Sequence, residues 1–524
     1  MEKWNAVVIG SGFGGALSAL PLVQAGQRVL MIERGGWVGR GPDNWSKSGP
    51  GLVTPHYAHD AGFQVSGSHR DYRSSAWNCV GGQSVFYGAA SYRFRESDFE
   101  HHDGVVADSG AEWPFRYDDL EAFYGRAEIL LGVAGEAGCE PCEPRRTSPF
   151  PQKVAPLAHS SALISQAAAR LGFKPSRIPL AISYGASGNR RGCMKCGKCD
   201  GYACASQSKN DLATGLIPDL IAAGMTLRTN TVCVRLRTRG THISAIECVN
   251  RVTGECETFH ADRVLLAAGA LATPHLLLAS DLARVNPAGS SVGRYLTRHR
   301  NVVVLGAFSR RPNPRHEFDK QIAILDMYER GGSIQQLTPS SDLVRAYLPP
   351  VLRSAGVMFM SHTLGLLVIA EDQPRASNSV SIDAGSIDRY GLPALRVHHT
   401  YSDRDERIAM SLVAKSREIL REAGALFTIV HSIRTFTHAL GTVRMGCDAK
   451  TSPLDASGRY RGIDNLFVVD GSALPRSAGL NPSLTIAANA LRVGSLIADS
   501  TAPSRATAMT MGGVRRHLPT ASVQ

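Results

Sequence analysis

The sequence contains no run of eighteen or more apolar residues, so it offers no segment able to cross a bilayer as a helix. It also lacks a polybasic run. Its 57 lysines and arginines are scattered among 45 aspartates and glutamates without aromatic interleaving, so the net charge of +12 does not mark a nucleic-acid-binding face. That charge implies only a modest attraction for anionic metabolites. The opening residues MEKWNAVVIG pass into a strand without a signal-type apolar core or a small-residue cleavage site, which leads to the expectation of a cytoplasmic protein. Internal repeats are absent. The stretch 501–524, rich in Ala, Thr, Ser and Pro and without apolar periodicity, is expected to be a flexible tail. Eleven cysteines are an odd count, and without an export signal they do not read as a disulfide framework. What these absences leave is a globular chain of 524 residues, 43% hydrophobic, long enough for two or more domains and a large core.

What is present begins with VVIGSGFGG. Ala6–Ile9 reads as a buried parallel strand, Gly10 to Gly15 as a tight turn, Ala16–Ala25 as a helix, and Gln27–Ile32 as a second strand ending at Glu33. In this βαβ unit Gly10 permits the turn, Gly12 lets the main chain approach a pyrophosphate, and Gly15 lets helix and strand pack closely. The helix N-terminus behind Phe13 and Gly14 supplies free N–H groups. Glu33, followed by Arg34, stands where a carboxylate accepts from a ribose 2′-OH and would repel a 2′-phosphate. A glycine-rich turn without a ligand would not need all these parts together, so the unit predicts dinucleotide binding. The loop alone does not separate NAD from FAD.

Further along, Leu227–Arg237 and His242–Asn250 partly alternate in polarity and predict a strand pair. Arg263–Ala270 predicts another strand, followed by a helix over Thr273–Ala279. Between Gly293 and Phe427 the runs NVVVLGAFS, QIAILDMY, VMFMSHTLGLLVIA, NSVSIDA and LPALRVHHTY, separated by Pro- and Gly-containing turns, predict a mostly antiparallel sheet. A helix over Glu406–Gly424 is expected to pack on it. After Arg434, small residues and strand–turn–helix order return, NLFVVDGS preceding a helix from Ser483 to Ser500. The fold class is therefore α/β: a discontinuous Rossmann-like nucleotide domain and a substrate domain whose antiparallel sheet is flanked by helices.

Three distal segments in order, HALGTVRMG from His438, NLFVVDGSALP from Asn465 and GLNPSLT from Gly479, resemble those of the glucose-methanol-choline (GMC) oxidoreductases, FAD enzymes that oxidise alcohols. VGGQSVFYG from Val80, with Arg93, Asp98 and Phe99, resembles that family's second glycine segment. Trp113 with Tyr117, Asp119, Leu120, Tyr124 and Glu128, then VGRYLTRH from Val292 and EDQP from Glu371 with Asn378, keep the family's order. The resemblance covers nearly the whole chain. It implies FAD in place of NAD, an FAD-binding domain made of residues 1–100, 190–295 and 432–500, and a substrate-binding domain of 101–189 and 296–431. It implies that Gly81, Gly82, Ser84 and Tyr87 lie beside the flavin, that Asp470 and Gly471 hold the ribityl and pyrophosphate part, and that Pro482 and Thr485 lie at the pyrimidine end. Val232, Ala268 and Gly269 complete the expected cofactor set. His438 falls on the family's catalytic histidine, and Asn481 on its partner position, His or Asn in different members.

The chemistry supplies its own reason for such a pair. Alcohol oxidation moves a carbon-bound hydride to flavin N5, and the hydride leaves readily only when the hydroxyl proton is removed or strongly hydrogen-bonded. A neutral histidine with an ordinary pKa near 6.5 suits that base and should contribute about a hundredfold or more. Asn481 can orient the substrate oxygen without competing for its proton, and the flavin carries the redox step. One histidine among 17 means little by itself; the flanking GTVRMG and NPSLT single out His438. His431 and His362 are expected to be structural, with a place in the substrate pocket as the alternative. Having both His438 and Asn481 argues against a flavin-binding scaffold without turnover.

Cys193, Cys196, Cys199 and Cys204 have C-x2-C-x2-C-x4-C spacing, close to an iron–sulfur ligand run but one residue longer in its last gap, and also compatible with zinc. The resemblance supports either an iron–sulfur cluster or a cysteine-rich loop, free or disulfide-linked, shaping the substrate domain; the loop, with no metal, is the favoured reading. Cys139 and Cys142 form a C-x2-C pair on a proline-rich loop, for which a structural role is expected. GGQSVFYGAASYRFRESDF and the chain length resemble bacterial enzymes that oxidise a primary hydroxyl of an aminosugar in antibiotic assembly, so a sugar or aminosugar alcohol is the expected substrate, a hydrophobic alcohol or sterol the alternative. An aminosugar amine needs a carboxylate, for which Glu371, Asp372, Glu317 and Asp319 are weak candidates. Oxygen or another electron acceptor completes the turnover.

Overall fold

The computed structural model describes residues 3–40, 62–67, 71–74, 76–107, 109–185, 191–315, 317–338 and 350–501. The expected tail lies outside the described residues beyond Thr501. Among the described residues no helix is long and apolar enough to cross a membrane.

The chain opens on β1 (Lys3–Ile9), α1 (Phe13–Gln24) and β2 (Val29–Ile32). Two short strands follow, β3 (Phe63–Gly67) and β4 (Tyr72–Ser74), then α2 (Asp118–Leu130), α3 (His159–Arg170) and β5 (Pro175–Arg177). Next come β6 (Thr226–Arg228), β7 (Thr231–Arg239), β8 (His242–Asn250), β9 (Cys256–Leu266) and α4 (Ala272–Ala279). The central part holds β10 (Arg300–Ala307), β11 (Ile322–Ile324), β12 (Gly332–Leu337), α5 (Arg353–Met360), β13 (Thr363–Ala370), β14 (Ser379–Ile387), β15 (Pro393–His399), α6 (Asp403–Glu422) and β16 (Phe427–Ser432). The last of the described elements are β17 (Leu466–Val468) and α7 (Ser483–Thr501).

The first sheet runs β6-β2-β1-β9-β8-β7, with β17 also on β9. β1 pairs in parallel with β2 and β9 on its two sides, and β17 pairs in parallel with β9. A strand flanked on both sides and covered on both faces has no polar side to show, which is why Ala6, Val7 and Val8 are fully buried. The run Leu227–Arg237 divides in two where the sequence pattern suggested one strand. Asn230, with φ of +53°, turns the chain, so that β6 joins β2 while β7 pairs antiparallel with β8.

α1 and α7 cross at backbone contact. A Cβ on Gly494 would meet the Ser18 carbonyl oxygen at 2.4 Å, and one on Gly15 the Gly10 carbonyl oxygen at 1.9 Å. Gly15 therefore serves the crossing of α1 over β1. Gly15→Ala is expected to cost about 1–3 kcal/mol through overpacking, read as a lower midpoint in denaturant unfolding of the apoprotein; an unchanged midpoint would show that the crossing yields freely.

The second sheet is antiparallel, ordered β16-β10-β13-β12-β11-β5. One face is covered by α3 and α6, whose Ile164, Ala167, Ala409, Leu412, Val413, Ile419 and Leu420 join Val302, Val304, Ile334, Leu366 and Val368 in one core. α6 starts at a capping box: Ser402 Oγ accepts from Asp405 N at 3.2 Å and Asp405 Oδ2 accepts from Ser402 N at 2.9 Å. Two expectations change here. VMFM is the end of α5, because β10 ends at Ala307, opposite Thr363, and leaves earlier residues no strand to pair with. NSVSIDA and LPALRVHH lie in a separate sheet, β14-β15-β3-β4, because β15 finds a parallel partner in β3 more than three hundred residues earlier, which alternation cannot reveal.

Candidate active site

A cavity of about 610 Å³ lies at the ends of β1, β2 and β9, lined by the Gly10–Gly14 turn, Glu33, Arg34, Gly82, Val232, Ala268, Gly269, Asp470, Gly471 and Pro482, with His438 also in its wall. Ligands of such sheets sit outside the carboxyl ends of the strands. The turn is emptied of side chains for two reasons. Gly10 has φ of +107°, and a Cβ there would lie 2.3 Å from the Ala267 carbonyl oxygen, so this glycine serves the turn; at Gly12, in the cavity lining, a Cβ would meet nothing within 4 Å, so its bare side faces open space. Glu33 Oε2 accepts from Ser11 N at 3.1 Å and Ser11 Oγ at 2.6 Å, and Oε1 from Gly35 N at 2.9 Å. Burial pushes its carboxyl up, against the pull of these donors. An open glycine cradle, a buttressed acid at the end of β2 and a histidine in the wall of one continuous cavity fit FAD.

Several expected site residues stand behind this wall. Gly81, at φ +87°, donates its N–H to Ser11 Oγ at 3.0 Å, and Ser84 Oγ donates to Gly81 O at 2.6 Å while accepting from Leu212 N at 3.1 Å. Tyr87 sets its ring edge-on against Phe13, centroids 5.4 Å apart, and its hydroxyl donates to Asn210 O at 3.1 Å. Thr485 Oγ1 lies 2.8 Å from Tyr124 Oη, buried at the start of α7. Asp470, by contrast, lines the cavity: its Oδ2 accepts from Gly269 N at 2.8 Å and Thr273 Oγ1 at 2.5 Å, and Oδ1 from Ser472 N at 2.8 Å, which locks the end of β17 to the start of α4.

His438 meets a second histidine. His299 Nδ1 lies 2.9 Å from His438 Nδ1, while His299 Nε2 lies 2.9 Å from the carbonyl oxygens of both Ser477 and Ala478. Carbonyl oxygens only accept, so His299 Nε2 carries the proton. Burial lowers the pKa of His299, which keeps it neutral and leaves its Nδ1 bare to accept. His438 must then donate from Nδ1, and its Nε2 is left with a free lone pair. Burial, the neighbouring His299 and the charge of Lys320 push the His438 pKa down to about 3, against a small opposing pull from Asp372. Asn481 Oδ1 is buried and has no hydrogen-bond partner.

His299 is held in a left-handed backbone conformation, φ +60°, by a dense set of bonds. Asp372 accepts from Arg298 N at 2.9 Å, His299 N at 3.0 Å, Ser477 Oγ at 3.0 Å and His399 Nε2 at 3.2 Å, and Tyr401 Oη donates to His299 O at 3.0 Å.

The comparisons agree with this geometry. Residues 14–301 and 374–490 match the family described as GMC oxidoreductase. The chain belongs to the GMC oxidoreductase family. It is an FAD-dependent oxidoreductase acting on alcohols. Similar proteins include paromamine 6'-oxidase of Streptomyces fradiae, 31% identical over 94% of this chain and 91% of that one. 6'''-hydroxyparomomycin C oxidase of Streptomyces lividus is 29% identical over 96% and 93%. In fold, the chain resembles pyridoxine 4-oxidase from Mesorbium loti, with a TM-score of 0.63 at 19% identity, covering 95% of this chain and 99% of that one.

In this GMC oxidoreductase the four weak carboxylate candidates are engaged elsewhere. Glu371 pairs with Arg476 (Nε to Oε1, 3.2 Å), Asp372 braces His299, Asp319 accepts from Thr338 Oγ1 at 2.6 Å and Ser160 Oγ at 3.3 Å, and Glu317 Oε2 accepts from His159 N at 3.1 Å at the start of α3. His431 lies exposed on β16, and His362 bonds its own turn at Met358 O, 3.1 Å. Cys193, Cys196, Cys199 and Cys204 are free thiols, as are Cys139 and Cys142, and among the described residues no group of three His, Cys, Asp or Glu is placed to hold a metal ion. Buried Lys209 ties the cysteine loop down, its Nζ donating to the carbonyls of Tyr87, Cys199 and Tyr202 at 2.8 Å each. The pattern reading missed Lys320. Its Nζ donates to Asp200 Oδ1 at 2.7 Å, and the pair sits over Gly88, where a Cβ would meet that oxygen at 1.8 Å. No spacing rule joins residues 88, 200 and 320 before the fold does.

Proposed function

We propose that this chain oxidises a primary hydroxyl of a sugar or aminosugar to the aldehyde, with His438 Nε2 taking the hydroxyl proton. The observation that carries this reading is the tautomer chain: two carbonyl oxygens fix His299, and His299 fixes His438 with a bare nitrogen on the side of its ring away from the histidine contact. The Asn481 Oδ1 has no hydrogen-bond partner, and the Nδ2 of the same amide is the atom able to donate to the substrate oxygen without competing for its proton. FAD, when bound, accepts the hydride at its N5. The glycine turn, Gly82 and Pro482 would hold it, and the burial and Lys320 charge that keep His438 neutral, with a pKa well below the ordinary 6.5, make it a weaker base that releases its proton readily after the reaction.

The substrate class rests on the two relatives that span the chain and are named for oxidising paromamine and 6'''-hydroxyparomomycin C. Anaerobic mixing of the holoenzyme with sugars, aminosugars, sterols and aliphatic alcohols tests it. Bleaching of the flavin by the polar primary alcohols is expected, and bleaching by sterols alone would overturn the substrate class. Readmitting air then shows whether oxygen is the acceptor.

A pH dependence follows from His438. Its pKa is depressed, so the base form persists as the pH falls through the ordinary histidine range. The rate of flavin reduction should stay flat between about pH 8 and pH 5. A limb with a midpoint near 6.5 would mean that the imidazole is not desolvated as described.

A further inference from the structure

The glycine turn, β2 and β7 account for part of the lining of the nucleotide end of the cavity; a further part comes from a segment that the pattern analysis assigned wholly to the substrate domain. The turn joining β14 to β15 reaches the cavity, and Ile387, Asp388, Arg389 and Leu392 line it together with Gly12, Glu33 and Arg34. This turn is preformed: Asp388 Oδ1 accepts from Tyr390 N and Leu392 N at 2.9 Å each, Asp388 N donates to Leu392 O at 2.8 Å, and Gly391 takes φ of +85°. It is also anchored. Tyr390 and Leu392 are buried with Val232 in a small apolar cluster of their own, the Arg34 guanidinium lies 5.4 Å from the Tyr390 ring centroid, and His275 Nε2 lies 2.7 Å from Pro393 O, which fixes its proton on that nitrogen.

These contacts place the turn at the end of the cavity marked by Glu33 and Val232, where a dinucleotide carries its adenosine. We propose that the β14–β15 turn is the outer wall of the adenosine site of FAD, with Arg389 and the Arg34–Tyr390 pair closing on the nucleotide. Two guanidinium groups at that end supply positive potential to a ligand bearing a diphosphate, and the packing of Tyr390 on Val232 sets the width of the slot. The cofactor is thereby gripped by two parts of the chain separated by more than three hundred residues.

The test is cofactor affinity of the full chain. Apoprotein of the natural sequence, Arg389→Gln and Tyr390→Leu is titrated with FAD and, separately, with FMN, which lacks the adenosine half, following quenching of flavin fluorescence; the melting temperature of each apoprotein is recorded alongside. Both variants should weaken FAD binding at least tenfold and leave FMN binding within twofold. Equal weakening of FAD and FMN, or FAD binding within twofold of the natural sequence in Arg389→Gln, overturns the proposal. If Tyr390→Leu melts lower as an apoprotein, Arg389→Gln alone decides, since Arg389 is exposed and outside the apolar cluster.

Discussion

His438→Ala is expected to slow anaerobic reduction of the flavin by alcohol substrate by about 10²–10⁴-fold while the protein stays yellow. The separation of effects follows from where the contacts lie. The groups fitted to grip the cofactor, the Gly10–Gly14 turn, Gly82 and the end of β2, belong to other segments, and none of them bonds to the imidazole. Without the ring, the hydroxyl proton must leave to water or remain in place while the hydride departs, and the faster of these two routes sets the residual rate. Stopped-flow absorbance at the flavin band, with FAD content measured on the same sample, gives both numbers. A variant that bleaches within tenfold of the natural enzyme would remove His438 from the role of base.

Parts of this site could be read from residues close together in sequence. The β1–α1–β2 unit, its glycines and Glu33 are one local pattern, and the structure brings Gly12, Glu33 and His438 into a single cavity. The distribution of strands between two sheets could not be read in the same way. β14 and β15 alternate like any half-buried hairpin, and only the parallel register of Arg396–His399 with Gln64–Gly67 takes them out of the antiparallel sheet. The same limit hid Lys320, which acts on His438 through space, and the turn at Arg389, which lines the nucleotide cavity from a segment distant in sequence. Polarity periodicity reports which face of an element is buried; it is silent about which distant element does the burying. The four carboxylates considered for an ammonium illustrate the same point from the other side, because acidity is legible in sequence but an existing partner such as Arg476 on Glu371 is not.

The role of His299 was equally invisible, since its meaning lies in a contact across 139 residues and in the direction of one hydrogen bond. That direction makes a sharp prediction. Leucine at 299 neither accepts from His438 Nδ1 nor donates to the Ser477 and Ala478 carbonyls, so the imidazole of His438 is free to place its proton on Nε2, the atom needed bare. In hydrolases a catalytic imidazole held in the wrong tautomer loses up to about 10⁴-fold in rate. Here, where no partner imposes the wrong form, His299→Leu should slow flavin reduction by about 10²-fold, with little change in substrate KM. Glutamine at the same position carries an acceptor oxygen and donor hydrogens on one rigid amide, and can repeat the pattern of His299: accept from His438, donate to the carbonyls. His299→Gln should therefore recover to within about tenfold of the natural rate. A purely structural histidine predicts something else, because both variants would disturb the left-handed turn at φ +60° and fall together in stability and rate. Rates of the two variants that are equally low, at equal melting temperatures, would reduce His299 to packing and leave the protonation of His438 to its burial alone.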